Sequence, residues 1–270
     1  MTVDALSTFR LDGKVALVTG GAGILGRHFC RGLADAGARV AVVDLDADTA
    51  RACAVEIGGG ADGFACDVSN STSVAACVAA VIARFGAIDI LHNNAASKSR
   101  DVRAFFTPFE DYPLATWREV MSVNIDGMFL MAQAVGRQMV AAQRGGSVIQ
   151  TASIYGLVGP DPRIYEGSEY LGGAINTPAV YAASKAAVIG LTRWLATHWA
   201  PDRIRVNCLV PGGVSSGQNS HFARNYASRV PMGRMAEPGE MVPALLYLAS
   251  EASSYVTGQV LAVDGGWTAW

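Results

Sequence analysis

Charge is scarce in this chain of 270 residues: charged side chains make up 16% against 51% hydrophobic. The 21 basic and 23 acidic residues include no basic block, so the electrostatic footprint of a nucleic-acid binder is missing. Cysteines number 5, an odd count with no C-x-x-C pair. Cys30, Cys53, Cys66, Cys77 and Cys208 all sit in apolar surroundings and read as buried free thiols of a reducing compartment. The 4 histidines never stand at H-x-x-x-H spacing, so no metal site is expected. No uncharged apolar run reaches the roughly 18–20 residues of a membrane span. The longest, Val74 to Ala83, stops at Arg84. Met1 to Arg10 lacks a basic segment followed by an apolar one, so no signal peptide is expected. Together these features predict a soluble cytoplasmic protein with neither a nucleic-acid nor a membrane partner.

What the chain does have is alternation. Short apolar, β-branched runs read as strands at 14–19, 39–43, 63–66, 88–91, 147–152, 205–209 and 259–263. Helical patterns separate them at 24–36, 46–57, 73–85 (with Ser71 or Ser73 as cap), about 116–143 and about 180–198. Strand–helix alternation over nearly the whole length predicts an α/β, doubly wound, Rossmann-type parallel sheet of about seven strands with helices on both faces. No linker, composition break or repeat divides residues 1–270, so a single domain is expected. Three stretches exceed what connection requires, at about 97–115, 156–179 and 212–235, and such loops usually carry function.

Thr19-Gly20-Gly21-Ala22-Gly23-Ile24-Leu25-Gly26 joins the first strand to the first helix. Glycines there permit a tight turn and a close approach of pyrophosphate to the backbone, and the helix end offers free N–H groups. Asp44 ends the second strand 18 residues past Gly26. A carboxylate in that place accepts from both ribose hydroxyls of the adenosine half and repels a 2′-phosphate. Leu45 follows it and Gly23 is uncharged, so no cation waits for that phosphate, and NAD is the expected cofactor. Asp67-Val68, at the end of the third strand, suits an adenine contact.

Tyr181-Ala-Ala-Ser-Lys185 puts a phenol and an ammonium one helical turn apart on one face. A free tyrosine, with a pKa near 10, is a poor base at neutral pH, and a neighbouring ammonium stabilises its phenolate. The lysines are Lys14, Lys98 and Lys185 alone, and only the last follows a tyrosine by four.

With these residues in view the chain resembles the short-chain dehydrogenase/reductase family from Lys14 to Val263-Asp264-Gly265-Gly266. The matching elements, in order, are the Thr19-Gly20 loop, Asp67-Val68, Asn93-Asn94-Ala95, Val123-Asn124, a strand-end Ser153, Tyr181/Lys185, Arg205-Val206-Asn207 and Pro211-Gly212. The resemblance implies that Tyr181 is the acid/base. Lys185 would lower its pKa and hold the nicotinamide ribose, and Ser153 would bond the reacting oxygen. Asn124 would kink its helix and hold a water that links Lys185 to solvent. It further implies that Asn94 supports the cofactor floor and Thr19 ties the glycine loop to it, with Val214 and Ser216 near the carboxamide.

Two departures stand out. The family usually has glycine where this chain has Ile24, whereas Gly21-x-Gly23-x-x-Gly26 fits the general dinucleotide fingerprint, so the pyrophosphate contacts stay open between two frames. Ser153 also precedes Tyr181 by 28 residues, where about 13 is usual, which implies an insertion of about 15 residues within 156–177. Ser168 stands at the usual spacing but lies in a polar loop, while Ser153 ends an apolar strand, where open α/β sheets bind ligands.

The three long loops carry Lys98, Arg103, Arg163, Glu169, Asn176 and Gln218 among other polar residues, which suits a polyhydroxylated small-molecule substrate or simply a solvated loop face. The wording around Ser153-Ile-Tyr-Gly156, Gly233-Arg-Met-Ala236 and the Trp270 terminus is similar to family members linked to surface-glycan or flagellin modification and to sugar-acid dehydrogenases such as gluconate 5-dehydrogenase. The expected activity is NAD(H)-dependent interconversion of a secondary alcohol and a ketone. Alternatives are a reductase of a less polar ketone (3-oxoacyl, cyclic or steroid-like), a sugar-nucleotide epimerase or dehydratase, and a silent NAD-sensing protein. Apolar residues on more than one side of the helices near 116–143 and 180–198, Trp194 and Trp199 included, predict a homotetramer, with a homodimer as the fallback.

Overall fold

A computed structural model describes residues 4–170 and 172–270. The expectation for Met1–Arg10 therefore falls partly outside the described residues, as does one position of the 156–179 loop. The first half alternates strictly: β1 (Val15–Thr19), α1 (Ile24–Asp35), β2 (Arg39–Asp44), α2 (Ala47–Ile57), β3 (Asp62–Ala65), α3 (Ser71–Phe85) and β4 (Ile90–Asn93). Then come α4 (Val102–Phe105), α5 (Leu114–Met121), a π-helical turn at Ser122–Asp126, α6 (Gly127–Ala142) and β5 (Gly146–Thr151). A hairpin of β6 (Glu169–Tyr170) and β7 (Gly173–Ala174) precedes α7 (Ala179–Trp199) and β8 (Ile204–Pro211). The chain closes with α8 (Ser220–Ala227), α9 (Val242–Ala249) and β9 (Val260–Val263).

Seven strands form one parallel sheet in the order β3-β2-β1-β4-β5-β8-β9. Successive side chains of a strand face opposite ways, and β1 shows it. Val15 and Leu17 join the core beneath α3, α6 and α7, while Ala16 and Val18 join the core beneath α1, α2 and α9. Both faces are covered, which is why the strands read as unbroken apolar runs. The strand order reverses between β1 and β4, and a crevice opens there at the carboxyl ends.

Several local expectations are corrected. The cap of α3 is Asn70, whose Oδ1 accepts the Ser73 N–H at 3.0 Å, not Ser71 or Ser73. The fourth strand lies two residues later than expected, because Asp89 stands before it and takes the Val15 N–H on its carboxylate at 2.9 Å. The run expected as one helix over 116–143 is two helices around the π turn. Helices α8 and α9 were not expected; α8 falls inside the third long loop. All five cysteines are free and buried.

Candidate active site

The glycine loop leads from β1 into α1. Gly23 caps the helix with no side chain, so the N–H groups of Ile24, Leu25 and Gly26 in the first turn have no capping partner and can meet a phosphate. Gly26 is the tightest point: a Cβ there would stand 2.0 Å from the Gly20 carbonyl oxygen. Ile24 is 59% exposed, and its side chain lines the same cavity as Tyr181.

Thr19 and Asn94 brace this loop from below. The Thr19 hydroxyl accepts the N–H groups of Asn94 at 2.9 Å and Ala95 at 3.0 Å. The Asn94 amide donates back to the carbonyls of Thr19 at 3.2 Å and Gly20 at 3.4 Å. β1 and β4 are thereby stapled at the sheet's switch point. Asp44 accepts the Ala22 N–H at 3.0 Å and the Leu45 N–H at 2.8 Å, and each oxygen keeps lone-pair capacity for a ribose hydroxyl. Arg27, next to this loop, is occupied by the Ala22 carbonyl at 2.8 Å and Glu56 at 3.0 Å. Asp67 accepts the N–H and hydroxyl of Ser69, and the Val68 side chain is buried against Gly127. A dinucleotide thus fits the unmet N–H groups, the glycine-narrow approach and the Asp44 carboxylate.

Ser153 lies two residues past β5 and caps the turn Ile154–Gly156 through the Tyr155 N–H at 3.3 Å. That turn rests on α7. A Cβ on Gly156 would stand 2.7 Å from the backbone of Lys185, so only glycine lets the two segments touch. The contact closes the long sequence gap between Ser153 and Tyr181. Burial pushes the Tyr181 phenol above the ordinary tyrosine range, and a hydrogen bond from Ser153 pulls it back. Ser168 donates instead to Asn219 at 3.3 Å.

Lys185 is buried and donates to the Thr151 carbonyl at 3.0 Å, with its ammonium 5.8 Å from the centre of the Tyr181 ring. Burial lowers its pKa to about 8. In the chain alone the ammonium turns to this backbone carbonyl, and burial is the largest influence on the Tyr181 phenol. Asn124 sits in the π turn, fully buried. Its Oδ1 accepts the Ser97 N–H at 2.8 Å, and its Nδ2 donates to Ser184 at 3.3 Å. It therefore ties the loop after β4 to the helical turn that carries Tyr181 and Lys185.

A cavity of about 670 Å³ opens over Tyr181. Its wall is more aromatic than the polar loop sequences suggested: Phe105, Phe106, Tyr155, Tyr165, Tyr170 and Phe222 face it, while Arg103 and Arg163 do not line it. Lys98, Glu169, Asn176, Ser216 and Gln218 supply polar groups. Ser216 is held by Gln218 at 2.8 Å, and Val214 bridges to Ala236. A cavity of about 720 Å³ lies at the opposite edge, among Lys14, Asp89 and Arg144 near the amino ends of the strands, away from all these groups. Among the described residues no cluster of His, Cys, Asp or Glu could hold a metal ion.

Sequence reasoning placed Tyr165 among the polar residues of the substrate loops but missed three participants, Thr151, His92 and Tyr155. Thr151 takes part through its carbonyl, which no side-chain motif signals. Buried His92, held neutral with a pKa near 3, meets the Thr151 hydroxyl at 2.8 Å. Tyr155 and Tyr165 stood in a distinctive stretch of sequence, yet their placement in the cavity depends on how the inserted loop folds back.

Comparison with known proteins gives the family. A family model described as enoyl-(acyl carrier protein) reductase, of the short-chain alcohol dehydrogenase type, matches residues 20–268. The chain is 40% identical to D-threitol dehydrogenase of Mycolicibacterium smegmatis over 269 residues, covering 96% of this chain and 95% of that one. It is 37% identical to galactitol 2-dehydrogenase (L-tagatose-forming) of Cereibacter sphaeroides, covering 99% and 100%. A gluconate 5-dehydrogenase from Burkholderia cenocepacia J2315, solved with NADP and tartrate, superimposes with a TM-score of 0.85 at 36% identity, covering 98% and 99%. With the crevice, the glycine loop and the Ser–Tyr–Lys group all in place, the chain belongs to the short-chain dehydrogenase/reductase family, as an oxidoreductase acting on CH–OH groups.

Proposed function

We propose that this protein is an NAD-dependent dehydrogenase of a neutral polyol, folded as a single domain, in which Tyr181 takes the proton of the alcohol being oxidised. The carrying observation is that Tyr181 lines the cavity, with the Lys185 ammonium 5.8 Å from its ring centre and Ser153 as its hydrogen-bonding neighbour. A bound nicotinamide dinucleotide supplies the two-electron acceptor. The residues of the chain do the rest. Ser153 orients the alcohol oxygen, Tyr181 accepts its proton, and Lys185 provides the positive charge that favours the phenolate. Asn124 serves the proton path beyond Lys185. Thr19, Gly20, Gly23, Ile24, Leu25, Gly26 and Asn94 form the pyrophosphate and nicotinamide floor, with Val214 and Ser216 at the carboxamide and Asp67-Val68 at the adenine.

NAD is favoured over NADP because Asp44 places a carboxylate where a 2′-phosphate would sit and Arg27 is engaged elsewhere. The relatives named for threitol and galactitol support a polyol. So does the cavity, which brings one cation, Lys98, and one carboxylate, Glu169, and so has no excess positive charge for a sugar acid. Aromatic walls suit the C–H faces of such a substrate. Trp199 packs inward on Gly136, but Trp194 is 60% exposed and stacks on His198 at 4.7 Å, with Phe129 46% exposed on α6. These faces support a homotetramer, which light scattering would read directly; a monomer would overturn it.

The test is formation of reduced dinucleotide, with NAD and NADP in parallel, over polyols, sugar acids, a simple cyclic alcohol and a 3-hydroxyacyl thioester. The reading expects polyols with NAD to give the highest kcat/KM. A highest value with the acyl thioester would overturn it.

A further inference from the structure

The inserted loop brings hydroxyl groups into the cavity that the chemistry above does not use. The Tyr165 hydroxyl is hydrogen-bonded to that of Thr177, and both residues belong to the insertion. Tyr155, two residues after Ser153, has the Tyr165 hydroxyl as its neighbour and no partner at hydrogen-bond geometry. Tyr165 and Thr177 share one hydrogen bond between two hydroxyl protons, so one of those protons has no acceptor within the pair, and the Tyr155 hydroxyl beside them is unpartnered. Beside Thr177 in sequence, the Oδ1 of Asn176 is buried and unpartnered, because its amide donates instead to the Phe106 carbonyl at 3.1 Å. All four residues line the cavity over Tyr181. The wall therefore holds unmet hydroxyl donors and an unmet amide acceptor, and buried groups left so are costly. An alcohol, which accepts one hydrogen bond and donates another, answers both.

The pair is also held rigidly. Tyr165 stacks on Phe222 of α8 with ring centroids 5.6 Å apart, and Asn225 of the same helix donates to the Glu166 carbonyl at 3.0 Å. Asp161 of the insertion pairs with Arg229, just beyond α8, at 2.9 Å. A site held by the protein itself discriminates between ligands better than a mobile loop does.

We propose that Tyr165, with Thr177 and Asn176, is a specificity site for a second hydroxyl of the substrate, on a carbon near the one oxidised, so that the enzyme selects diols over mono-alcohols. This inference rests on the polyol reading and names the residues that carry it out. Loss of the Tyr165 hydroxyl leaves the ring on Phe222 and removes only the hydrogen bonds that hydroxyl makes.

The experiment compares butane-2,3-diol with butan-2-ol, in saturating NAD, for the wild type, Tyr165→Phe and Thr177→Val. The wild type is expected to favour the diol in kcat/KM. In both variants that preference falls by about 10- to 100-fold, through KM for the diol rather than through kcat. Unchanged dinucleotide affinity, read by tryptophan fluorescence, certifies that each variant is folded; with two variants, loss of one to misfolding still leaves the test standing. Variants that keep the full preference overturn this inference alone. A wild type that oxidises neither alcohol, or both equally well, overturns the polyol reading and the inference with it.

Discussion

The Lys185 ammonium donates to the Thr151 carbonyl at 3.0 Å, in a site where burial has lowered its pKa to about 8. A base whose folded pKa lies below its unfolded value adds stability fully above the unfolded pKa, 10.5, and loses it as pH falls through about 8. Tyr181 works the other way: its pKa is raised, so its contribution is present below pH 10 and is lost as pH rises through the folded value. Urea unfolding of the wild type and Lys185→Met between pH 7.5 and 10 separates the two. The wild type is expected to gain stability over the variant by roughly 1–3 kcal/mol as pH rises across this window. Parallel pH dependences would contradict the burial of that charge.

Alcohol oxidation needs Tyr181 as a base, and burial raises its pKa. The oxidation rate at saturating substrate is therefore expected to climb from pH 7 toward pH 9 and beyond, while ketone reduction stays flat over this range, because the phenol remains protonated, and falls only as pH passes the raised pKa. Stopped-flow measurement in both directions checks this. A flat oxidation profile would show that no group of raised pKa takes the proton.

Asp44 holds the Ala22 N–H, and the proposed preference for NAD has it exclude a 2′-phosphate as well. Asp44→Ser should keep a hydrogen-bond acceptor while removing the repulsion. The ratio of kcat/KM for NAD over NADP is expected to fall by at least about tenfold, an amount equal to one lost charge contact. An unchanged ratio would place discrimination elsewhere on the loop.

Gly26→Ala drives a methyl group to 2.0 Å from the Gly20 carbonyl, which is backbone and cannot rotate aside. The loop must open. Calorimetric dinucleotide affinity is expected to drop by more than about tenfold with a loss of stability of about 1–3 kcal/mol. Wild-type affinity would mean that phosphate is held by other N–H groups.

An aromatic row connects the chain's end to the cavity. Trp267 stacks on Tyr226 at 4.5 Å, Tyr226 meets Phe222 at 5.8 Å, and Phe222 stacks on Tyr165. Trp267→Ala should lower stability by about 3–5 kcal/mol and also raise the substrate KM, because α8 loses its backing. Denaturant melts and steady-state kinetics on the same preparation report both effects; stability loss without a KM change would uncouple the terminus from the cavity.

The sheet was legible because its strands are buried on both faces and interrupt helical patterns with runs such as Val15–Thr19. The π turn at Ser122–Asp126 was legible only through the resemblance, which puts a kink at Asn124, since apolar spacing continues through it with only a small phase shift. The α9 segment, Val242–Ala249, is apolar nearly all round and eight residues long, so it has no periodicity to read. The α8 segment, with its Asn219 cap accepting the Phe222 N–H at 2.9 Å, looked like polar loop because its large apolar residues, Phe222 and Tyr226, find partners such as Tyr165 and Trp267 that are remote in sequence. At the site, the choice of Ser153 over Ser168 followed from its place at the end of β5. The Tyr155–Tyr165–Thr177 row could not be read, because it exists only once the insertion folds over α7.

The central claim is that the Tyr181 hydroxyl takes the proton. Tyr181→Phe, assayed with NAD and the best polyol while dinucleotide affinity is measured on the same sample, tests it most directly. The expected result is a fall in kcat of about 100- to 10,000-fold with dinucleotide affinity preserved. Turnover at the wild-type rate would contradict the account.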